Sequence, residues 1–386
     1  YEWFDAFSMV LIIGVGTFID NFFGMKYKIL LQADQKHYIQ IGASTVTTIL
    51  TTVTSIVLIT STSSIHIVRL GITIVSLVNP LLLSVYTRKR YSFDWKAQPD
   101  YLAISQRWDA FFHELSYIIN QNIDIILITL FVSLKEVSVY TVHFMVVNNI
   151  SKVANSFVTG INATFGNIIA NNEKDNLRTT FFFIEWVMMS ICTVLFSVTA
   201  VMLPGFITLY TSSIVDVNYL RPTLAIIMVI VSLINSTRIP YQMLVEAAGK
   251  HKETRNGAIF EVILNLTISI ILVVKYGIIG VIIGTLVARF MRTIEYSIFC
   301  MKKILRINLL HILRHYLLLA ISFAVCYFIG VNIQLFDNVS YFSWAANATL
   351  VTVISAITVI IVGLLFYQRQ FKYLIARIKR KTTKGK

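Results

Sequence analysis

The chain is built from apolar segments of about 20 residues separated by short polar stretches, and an apolar helix of about 20 residues is long enough to cross a lipid bilayer. Apolar side chains make up 56% of the 386 residues, and charged side chains make up 13%. A soluble domain of this length has too little polar surface to cover so many apolar groups. The sequence therefore excludes a soluble enzyme, a disordered chain and a disulfide scaffold, and it predicts an all-α polytopic membrane protein.

Hydropathy predicts about eleven transmembrane helices. The apolar runs are too long for barrel strands, which alternate lipid-facing and lumen-facing side chains. The approximate bounds are 4–23, 41–60, 63–86, 109–132, 137–170, 180–203, 218–247, 257–275, 278–300, 311–331 and 344–367.

The basic residues predict the orientation of these helices, because Lys and Arg collect in cytoplasmic loops. The opposite loops hold only Lys135, Arg221 and Lys275. We therefore expect a cytoplasmic C-terminus and, with eleven spans, residue 1 on the outer side. This distribution explains the net charge of +14 without nucleic acid as a partner. Most of the 33 Lys and Arg residues lie near 26–36, 88–107, 174–178, 250–255 and 302–306, and in the tail 369–386.

An internal repeat links the two halves of the chain. Leu30–His37 and Leu244–His251 share the pattern Leu-x-x-Ala-x-x-Lys-His, and each ends one helix and enters a cytoplasmic loop. Equal orientation of both copies indicates a parallel repeat, related by an axis along the membrane normal. The second copy begins near residue 107. By the same spacing the first copy would begin before residue 1, so we expect its first three helices to be missing here.

Ionisable and amide side chains inside the predicted helices are the candidate functional residues, since such groups are costly in hydrocarbon and normally face water or a partner. Asn148, Lys152 and Asn155 follow one helical stripe, and Asn235 and Arg238 precede the helix-kinking Pro240. The predicted cavity cations are Arg69, Lys152, Arg238 and Arg289; the predicted cavity amides are Asn79, Asn120, Asn148, Asn155 and Asn235; Asp124 and Glu185 are candidates for ion coupling.

Simpler roles remain open for some of these residues. Arg289, with Arg292, can extend to the cytoplasmic interface, as can Glu185, and Asp124 can pair with a neighbouring cation. A cationic, low-dielectric chamber favours anions, and Arg and Lys suit phosphate oxygens. A drug exporter that carries cations should instead show an excess of buried carboxylates. No catalytic motif or metal-ligand spacing stands out, so we expect no enzymatic activity, cofactor or metal.

Two stretches carry a family resemblance: Arg238–Glu253, and Asn265–Thr285 with its run Gly-Ile-Ile-Gly-Val-Ile-Ile-Gly-Thr. Together they resemble bacterial polysaccharide flippases, the O-antigen and capsule repeat-unit translocases of the MATE-like multidrug/oligosaccharidyl-lipid/polysaccharide exporter superfamily. The resemblance implies two six-helix bundles around a central cavity and two additional C-terminal helices. The expected organisation is then 1–90 for the second half of the N-terminal bundle, 91–107 for a cytoplasmic linker, 108–305 for the C-terminal bundle, 306–368 for two additional helices and 369–386 for a basic tail.

The resemblance also implies a function. We expect a multi-pass protein of the bacterial plasma membrane that flips polyprenyl-diphosphate-linked oligosaccharide by alternating access. Membrane lipids and a polysaccharide polymerase are the expected partners. The alternatives are a lipid II flippase, a cation-coupled multidrug exporter of the same superfamily and a membrane scaffold for glycan polymerisation.

Overall fold

The structure, a computed structural model, describes residues 3–62, 64–92, 107–158, 161–214, 216–333 and 340–374. These residues form 13 α-helices. The chain divides into two compact units, Tyr1–Asp100 and Tyr101–Lys386. The predicted linker 91–107 and the basic tail fall largely outside the described residues, so the predicted domain bounds stay predictions.

The N-terminal unit contains four helices, and its last predicted helix, 63–86, is broken in two. Pro80 has no N–H to donate to the carbonyl group of Ser76, so the helix is interrupted at Leu77. A proline inside a helical segment is a usual cause of such a break. The helices are α1 (Trp3–Ala33), α2 (His37–Ser61), α3 (Ile65–Ser76) and α4 (Val78–Arg90).

The C-terminal unit contains the other nine helices, and a π-helical turn, Cys300–Leu305, follows α11. Its core includes Phe181, Phe196 and Tyr241, all fully buried. The helices are α5 (Arg107–Phe131), α6 (Leu134–Ser156), α7 (Ile161–Ala170), α8 (Lys174–Tyr210), α9 (Pro222–Ala247), α10 (His251–Tyr276), α11 (Ile278–Phe299), α12 (Leu310–Asn332) and α13 (Tyr341–Phe366).

The prediction of one continuous helix over 137–170 was wrong, because α6 ends at Ser156 and α7 begins at Ile161. Asn155 and Ser156 stand at this boundary, and both residue types are poor helix formers that favour helix ends. The predicted polar stripe therefore runs along α6 only as far as Ser156. In the sequence the same spacing extends the stripe through Ser156 to Thr159, which lies outside the described residues.

Eight segments of the described chain are long and apolar enough to cross a membrane, with α3 and α4 counted as one segment. The protein is therefore a multi-pass membrane protein. α5, α6 and α11 have 25, 23 and 22 residues, which is also spanning length, but they carry more polar side chains. The count of eleven spans stays a prediction, and these three helices supply many of the polar groups described below.

The two repeat sequences have the same turn geometry. Gln35 and Gly249 both have positive φ angles, 57° and 63°, and the following lysines, Lys36 and Lys250, have nearly equal φ and ψ angles. The backbone hydrogen bonds also correspond: Lys36 N donates to Leu31 O at 2.8 Å, and Lys250 N donates to Val245 O at 3.0 Å. The short sequence pattern thus encodes one local structure twice, which supports the predicted internal repeat.

α12 and α13 pack against α8. Trp344 Nε1 donates to the carbonyl oxygen of Met202 at 2.9 Å, and Val351 packs on Val201 and Met202 in a small apolar cluster. Ser197 Oγ lies 3.4 Å from Ser355 Oγ in the same interface. The last two described helices are therefore attached to the C-terminal unit mainly through α8.

Candidate functional site

Three arginines surround one carboxylate inside the C-terminal unit. Arg238 of α9 and Arg289 and Arg292 of α11 all lie within 4 Å of Glu261 of α10, and each of these four residues is at most 7% exposed. The distances to the Glu261 oxygens are 3.1 Å from Arg238 Nη1, 3.8 Å from Arg289 Nε and 3.7 Å from Arg292 Nε. Three buried positive groups thus share one buried negative group. We call these four residues the arginine cluster.

Asn235, one turn before Arg238, completes the arginine cluster from the side of α9. Its Oδ1 accepts a hydrogen bond from Arg238 Nη2 at 2.8 Å and another from Arg289 Nη1 at 2.8 Å. Arg238 Nε is buried and has no hydrogen-bond partner among the described residues. The guanidinium of Arg238 therefore keeps one buried donor unused, and a buried donor without an acceptor is costly.

Arg292 is held on its other sides by Tyr296, Glu295 and His113. Its guanidinium carbon lies 4.2 Å from the centre of the Tyr296 ring, and Nη2 donates to the Tyr296 hydroxyl at 3.1 Å. Nη1 donates to Glu295 Oε2 at 2.6 Å, and Nη2 lies 3.5 Å from His113 Nδ1. Arg292 is therefore fixed inside the unit. It does not extend to the cytoplasmic membrane interface, which was the simpler role that the sequence left open.

The arginine cluster lines a cavity of about 480 Å³. Glu114, which is exposed, and Glu246, which is half-buried, also line this cavity. Together with Glu261 these two carboxylates balance the formal charge of the three arginines. The sequence predicted a cationic cavity, and for the lining as a whole this prediction was wrong. The excess of positive charge is confined to the buried part of the lining, where Glu261 is the one buried carboxylate beside three guanidinium groups.

A second cavity of about 160 Å³ shares several of its lining residues with the first, namely Tyr117, Asn120, Asn155, Asn235 and Arg289. Lys152 and Asn148 also line it, as does Asp124. The side chain of Lys152 is exposed, whereas Asn148 and Asn155 are half-buried. Eight predicted site residues of the C-terminal unit thus lie around these adjoining cavities: Asn120, Asp124, Asn148, Lys152, Asn155, Asn235, Arg238 and Arg289.

Asp124 is a buried carboxylate within a set of oxygen atoms. Tyr140 donates to its Oδ2 at 3.1 Å, and Thr285 Oγ1 donates to its Oδ1 at 2.7 Å. Asn265 Oδ1 lies 3.2 Å from the Thr285 hydroxyl, and Asn265 Nδ2 donates to Asn120 Oδ1 at 3.1 Å. The sequence allowed Asp124 to pair directly with a neighbouring Lys or Arg. In these contacts its carboxylate is instead held by the hydroxyl groups of Tyr140 and Thr285.

The two predicted residues of the N-terminal unit have different surroundings. Arg69 lies on α3 with an exposed side chain. Asn79 is buried on α4, and its Nδ2 donates to Asp20 Oδ1 at 3.2 Å; Asp20 also pairs with Lys28 at 2.8 Å. Arg69 and Asn79 belong to a different unit from the arginine cluster, and their position relative to it stays a prediction.

Glu185 belongs to a different group of residues, between α8 and α12. It is 2% exposed and accepts a hydrogen bond from the Tyr241 hydroxyl, while His311 Nε2 lies 2.7 Å and His315 Nδ1 4.0 Å from its Oε2. Glu185 is therefore buried inside the unit and does not extend to the cytoplasmic membrane interface, which was the simpler role that the sequence left open. The sequence analysis missed both histidines, although their spacing of four residues on one helix was a usable signal.

No protein-family model matches the chain, and no curated protein matches it in sequence. In structure the chain is similar to "Lipid II flippase MurJ, inward closed conformation", with a TM-score of 0.58 and 14% sequence identity. The similarity covers 90% of this chain and 73% of that flippase. The chain therefore has an all-α, MurJ-like fold, and its multi-pass topology follows from its own helices.

Proposed function

We propose that this protein transports a lipid-linked oligosaccharide across the membrane and that the arginine cluster holds the diphosphate of the cargo. The particular cargo that we propose is a polyprenyl-diphosphate repeat unit of a capsule or another surface polysaccharide, carried across the bacterial plasma membrane by alternating access. The MurJ-like fold supports the general class, and the family resemblance of Arg238–Glu253 and Asn265–Thr285 supports the cargo.

One observation carries this proposal: Arg238, Arg289 and Arg292 are buried around the single carboxylate of Glu261. Buried charges need partners, and Glu261 together with the partly exposed Glu295, which pairs with Arg292, offers two carboxylates to three guanidinium groups. A diphosphate supplies negative oxygens that accept several charge-assisted hydrogen bonds, often two from one guanidinium. Binding of such an anion would compensate the buried positive charge that Glu261 leaves over.

The neighbouring amide groups suit the sugar part of the cargo. Asn148, Asn155 and Asn120 line the smaller cavity, and amides both donate to and accept from sugar hydroxyl groups. A large polar head group cannot cross hydrocarbon without such a lining, because unpaired polar groups are costly there. In this proposal the polyprenyl chain stays in the surrounding lipid while the head group passes through the protein.

We further propose that Asp124 couples transport to a cation. Its carboxylate is held by Thr285 and Tyr140, and the carbonyl oxygen of Asn265 lies nearby. Oxygen ligands of this kind suit a hard cation, and a proton can also neutralise a buried carboxylate. Asp124 lines the same small cavity as Arg289. A change in the charge of Asp124 would therefore act on the arginine cluster through a short-range electrostatic interaction.

A flipping assay in proteoliposomes tests the transport proposal. We expect wild-type protein to move a polyprenyl-diphosphate oligosaccharide, and we expect the Arg238→Gln and Arg289→Gln variants to lose at least about tenfold in rate, since each removes charge-assisted hydrogen bonds. Arg69→Ala and Lys152→Ala test the other two predicted cations. Arg221→Gln is the matched control, because Arg221 pairs with Glu136 at the start of α6 and lines neither cavity. Equal rates in all folded variants would contradict the proposal.

Lipid II is the second candidate cargo, favoured by the structural similarity to MurJ. Lipid II and a polysaccharide repeat unit share the diphosphate, so the arginine variants cannot separate them. Parallel assays with lipid II and with a peptide-free oligosaccharide lipid do so: faster flipping of the peptide-free lipid supports the polysaccharide cargo, and faster flipping of lipid II overturns it. Efflux of a cationic dye without flipping of either lipid would instead indicate a multidrug exporter.

A further inference from the structure

Glu185, His311 and His315 bring one carboxylate and two imidazoles together between α8 and α12, away from both cavities of the arginine cluster. One donor atom from each residue lies within 4.8 Å of the other two. Glu185 and His315 are each 2% exposed, and the side chain of His311 is 23% exposed. These groups have no part in the transport site proposed above, so their close approach in the interior calls for a separate explanation.

From this geometry we propose that Glu185, His311 and His315 form a binding site for a divalent transition-metal ion of the Zn²⁺ type. Two imidazoles and one carboxylate are a frequent zinc ligand set, with bonds of about 2.0–2.2 Å. Bonds of that length in a tetrahedral arrangement place the donor atoms about 3.3 Å apart. The observed separations from Glu185 Oε2, 2.7 Å to His311 Nε2 and 4.0 Å to His315 Nδ1, lie on either side of that value.

The position of the two histidines on α12 supports the assignment. His311 and His315 are four residues apart, which places both rings on one face of the helix, and the rings stack with centroids 5.9 Å apart. Their shared face is turned toward Glu185 of α8. The ligands therefore come from two helices that are already packed together, so only side-chain adjustments are needed to close the site.

Outer contacts hold Glu185 and His311 in place. The Tyr241 hydroxyl donates to Glu185 Oε1, which leaves Oε2 directed at the histidines. Phe182 packs on the His311 ring at 4.5 Å between centroids, whereas the Tyr367 hydroxyl occupies the metal-facing nitrogen of His315, Nδ1, at 3.0 Å. Such outer contacts orient metal ligands and are part of working metal sites. Displacement of the Tyr367 hydroxyl from His315 Nδ1 would free this nitrogen for the metal.

An entry path reaches the two histidines. His311 and His315 line a cavity of about 550 Å³ together with Phe182, Arg314 and the segment 365–370. Water in this cavity can supply the fourth ligand that a zinc ion with three protein ligands takes. A bound ion would join α12 to α8 and so restrain the last two helices against the rest of the C-terminal unit.

Titration of purified, tag-free protein with Zn²⁺, followed by calorimetry and by metal analysis after gel filtration, tests this proposal. We expect one Zn²⁺ per chain, no comparable binding of Mg²⁺, and a Zn²⁺-dependent rise in the thermal unfolding midpoint. His311→Gln and Glu185→Gln should each weaken Zn²⁺ binding at least about tenfold, as even the loss of an outer contact can do. If Glu185→Gln does not fold, the partly exposed His311 decides the test alone.

His66→Gln is the matched control, because His66 also lies beside one carboxylate, Asp5 at 3.3 Å, but belongs to the N-terminal unit. It should bind Zn²⁺ as the wild type does and show the same thermal shift. The proposal is overturned if the wild type binds no Zn²⁺, if His311→Gln binds it as tightly as the wild type, or if His66→Gln loses as much affinity as His311→Gln.

Discussion

Arg238 and Arg289 donate to the same side-chain oxygen, Asn235 Oδ1, each at 2.8 Å. The two guanidinium groups come from different helices, α9 and α11, and a neutral amide thus fixes two like charges side by side in the interior. Like charges held this close repel each other. The arrangement is therefore best suited to a ligand that carries more than one negative charge, such as a diphosphate.

Replacement of the shared acceptor should destabilise the protein. Asn235→Ala removes one acceptor from two buried arginines, and hydrogen bonds to charged groups contribute about 1.5–3 kcal/mol. We expect the free energy of unfolding in detergent to fall by that amount. The matched control is Asn149→Ala, because the exposed Asn149 only donates to Met145 O of its own helix. An equal loss in both variants would show that Asn235 has no special role.

Glu261→Gln should destabilise the protein and leave it more responsive to anions. Removal of one partner of a buried ion pair costs about 3–5 kcal/mol, and here three guanidinium groups lose their common carboxylate. We expect added pyrophosphate to restore part of the lost thermal stability, since it supplies the missing negative charge. Glu136→Gln, in the partly exposed pair with Arg221, should cost less than about 1 kcal/mol and gain nothing from pyrophosphate.

Gln35 and Gly249 occupy equivalent positions in the two repeat turns, and substitutions there should have different effects on the free energy of unfolding. Gly249 has a φ of 63°, and a side chain in this left-handed region costs about 1–2 kcal/mol. We expect Gly249→Ala to lower the free energy of unfolding by about 1 kcal/mol. Gln35 already has a φ of 57°, so Gln35→Gly should not destabilise its turn. Loss of stability in Gln35→Gly equal to that in Gly249→Ala would contradict the equivalence of the two turns.

The turn between α1 and α2 should contribute stability that depends on pH. The ammonium of Lys36 holds the pKa of Asp34 below its ordinary value of 3.8, and Asp34 in turn raises the pKa of Lys36 above 10.5. The Tyr91 hydroxyl also donates to Asp34, and this contact raises the pKa of Tyr91. A depressed carboxyl pKa means stability that is present above pH 3.8 and is lost as pH falls through the lower value.

The raised pKa of Lys36 has the opposite consequence: its contribution is present below pH 10.5 and is lost as pH rises further. Between these limits Asp34→Asn should unfold more readily than the wild type, and the difference should shrink toward strong acid. Unfolding curves at several pH values measure this. A difference that stays constant down to the lowest pH would contradict the ionic origin of the contact.

The fold could be predicted from the sequence to a large extent, because long apolar segments leave helices as the only solution in a membrane. The repeat turn at Gly249 was also readable from eight residues. Breaks inside apolar stretches were harder: Pro80 marked one, whereas the end of α6 at Ser156 depended on weaker propensities. The start of α8 was predicted too late in the sequence, at residue 180, whereas the helix begins at Lys174.

The site was predictable only in part. Arg238 and Arg289 stood out as charges within apolar helices, whereas Glu261 is only the fifth residue of the predicted helix 257–275. α10 in fact begins at His251, so Glu261 is almost three turns inside it. His311 and Glu185 are 126 residues apart, and only tertiary packing brings them together. Pairings of this kind have no local signal in the sequence.

The binding of a short-chain polyprenyl-diphosphate sugar to the purified protein tests the central claim most directly. If Arg238, Arg289 and Arg292 hold the diphosphate, Arg289→Gln should weaken binding by about ten- to a hundredfold, as the loss of charge-assisted hydrogen bonds predicts. Arg221→Gln should bind as the wild type does. Unchanged affinity in a folded Arg289→Gln variant, or equal weakening in Arg221→Gln, would contradict the account.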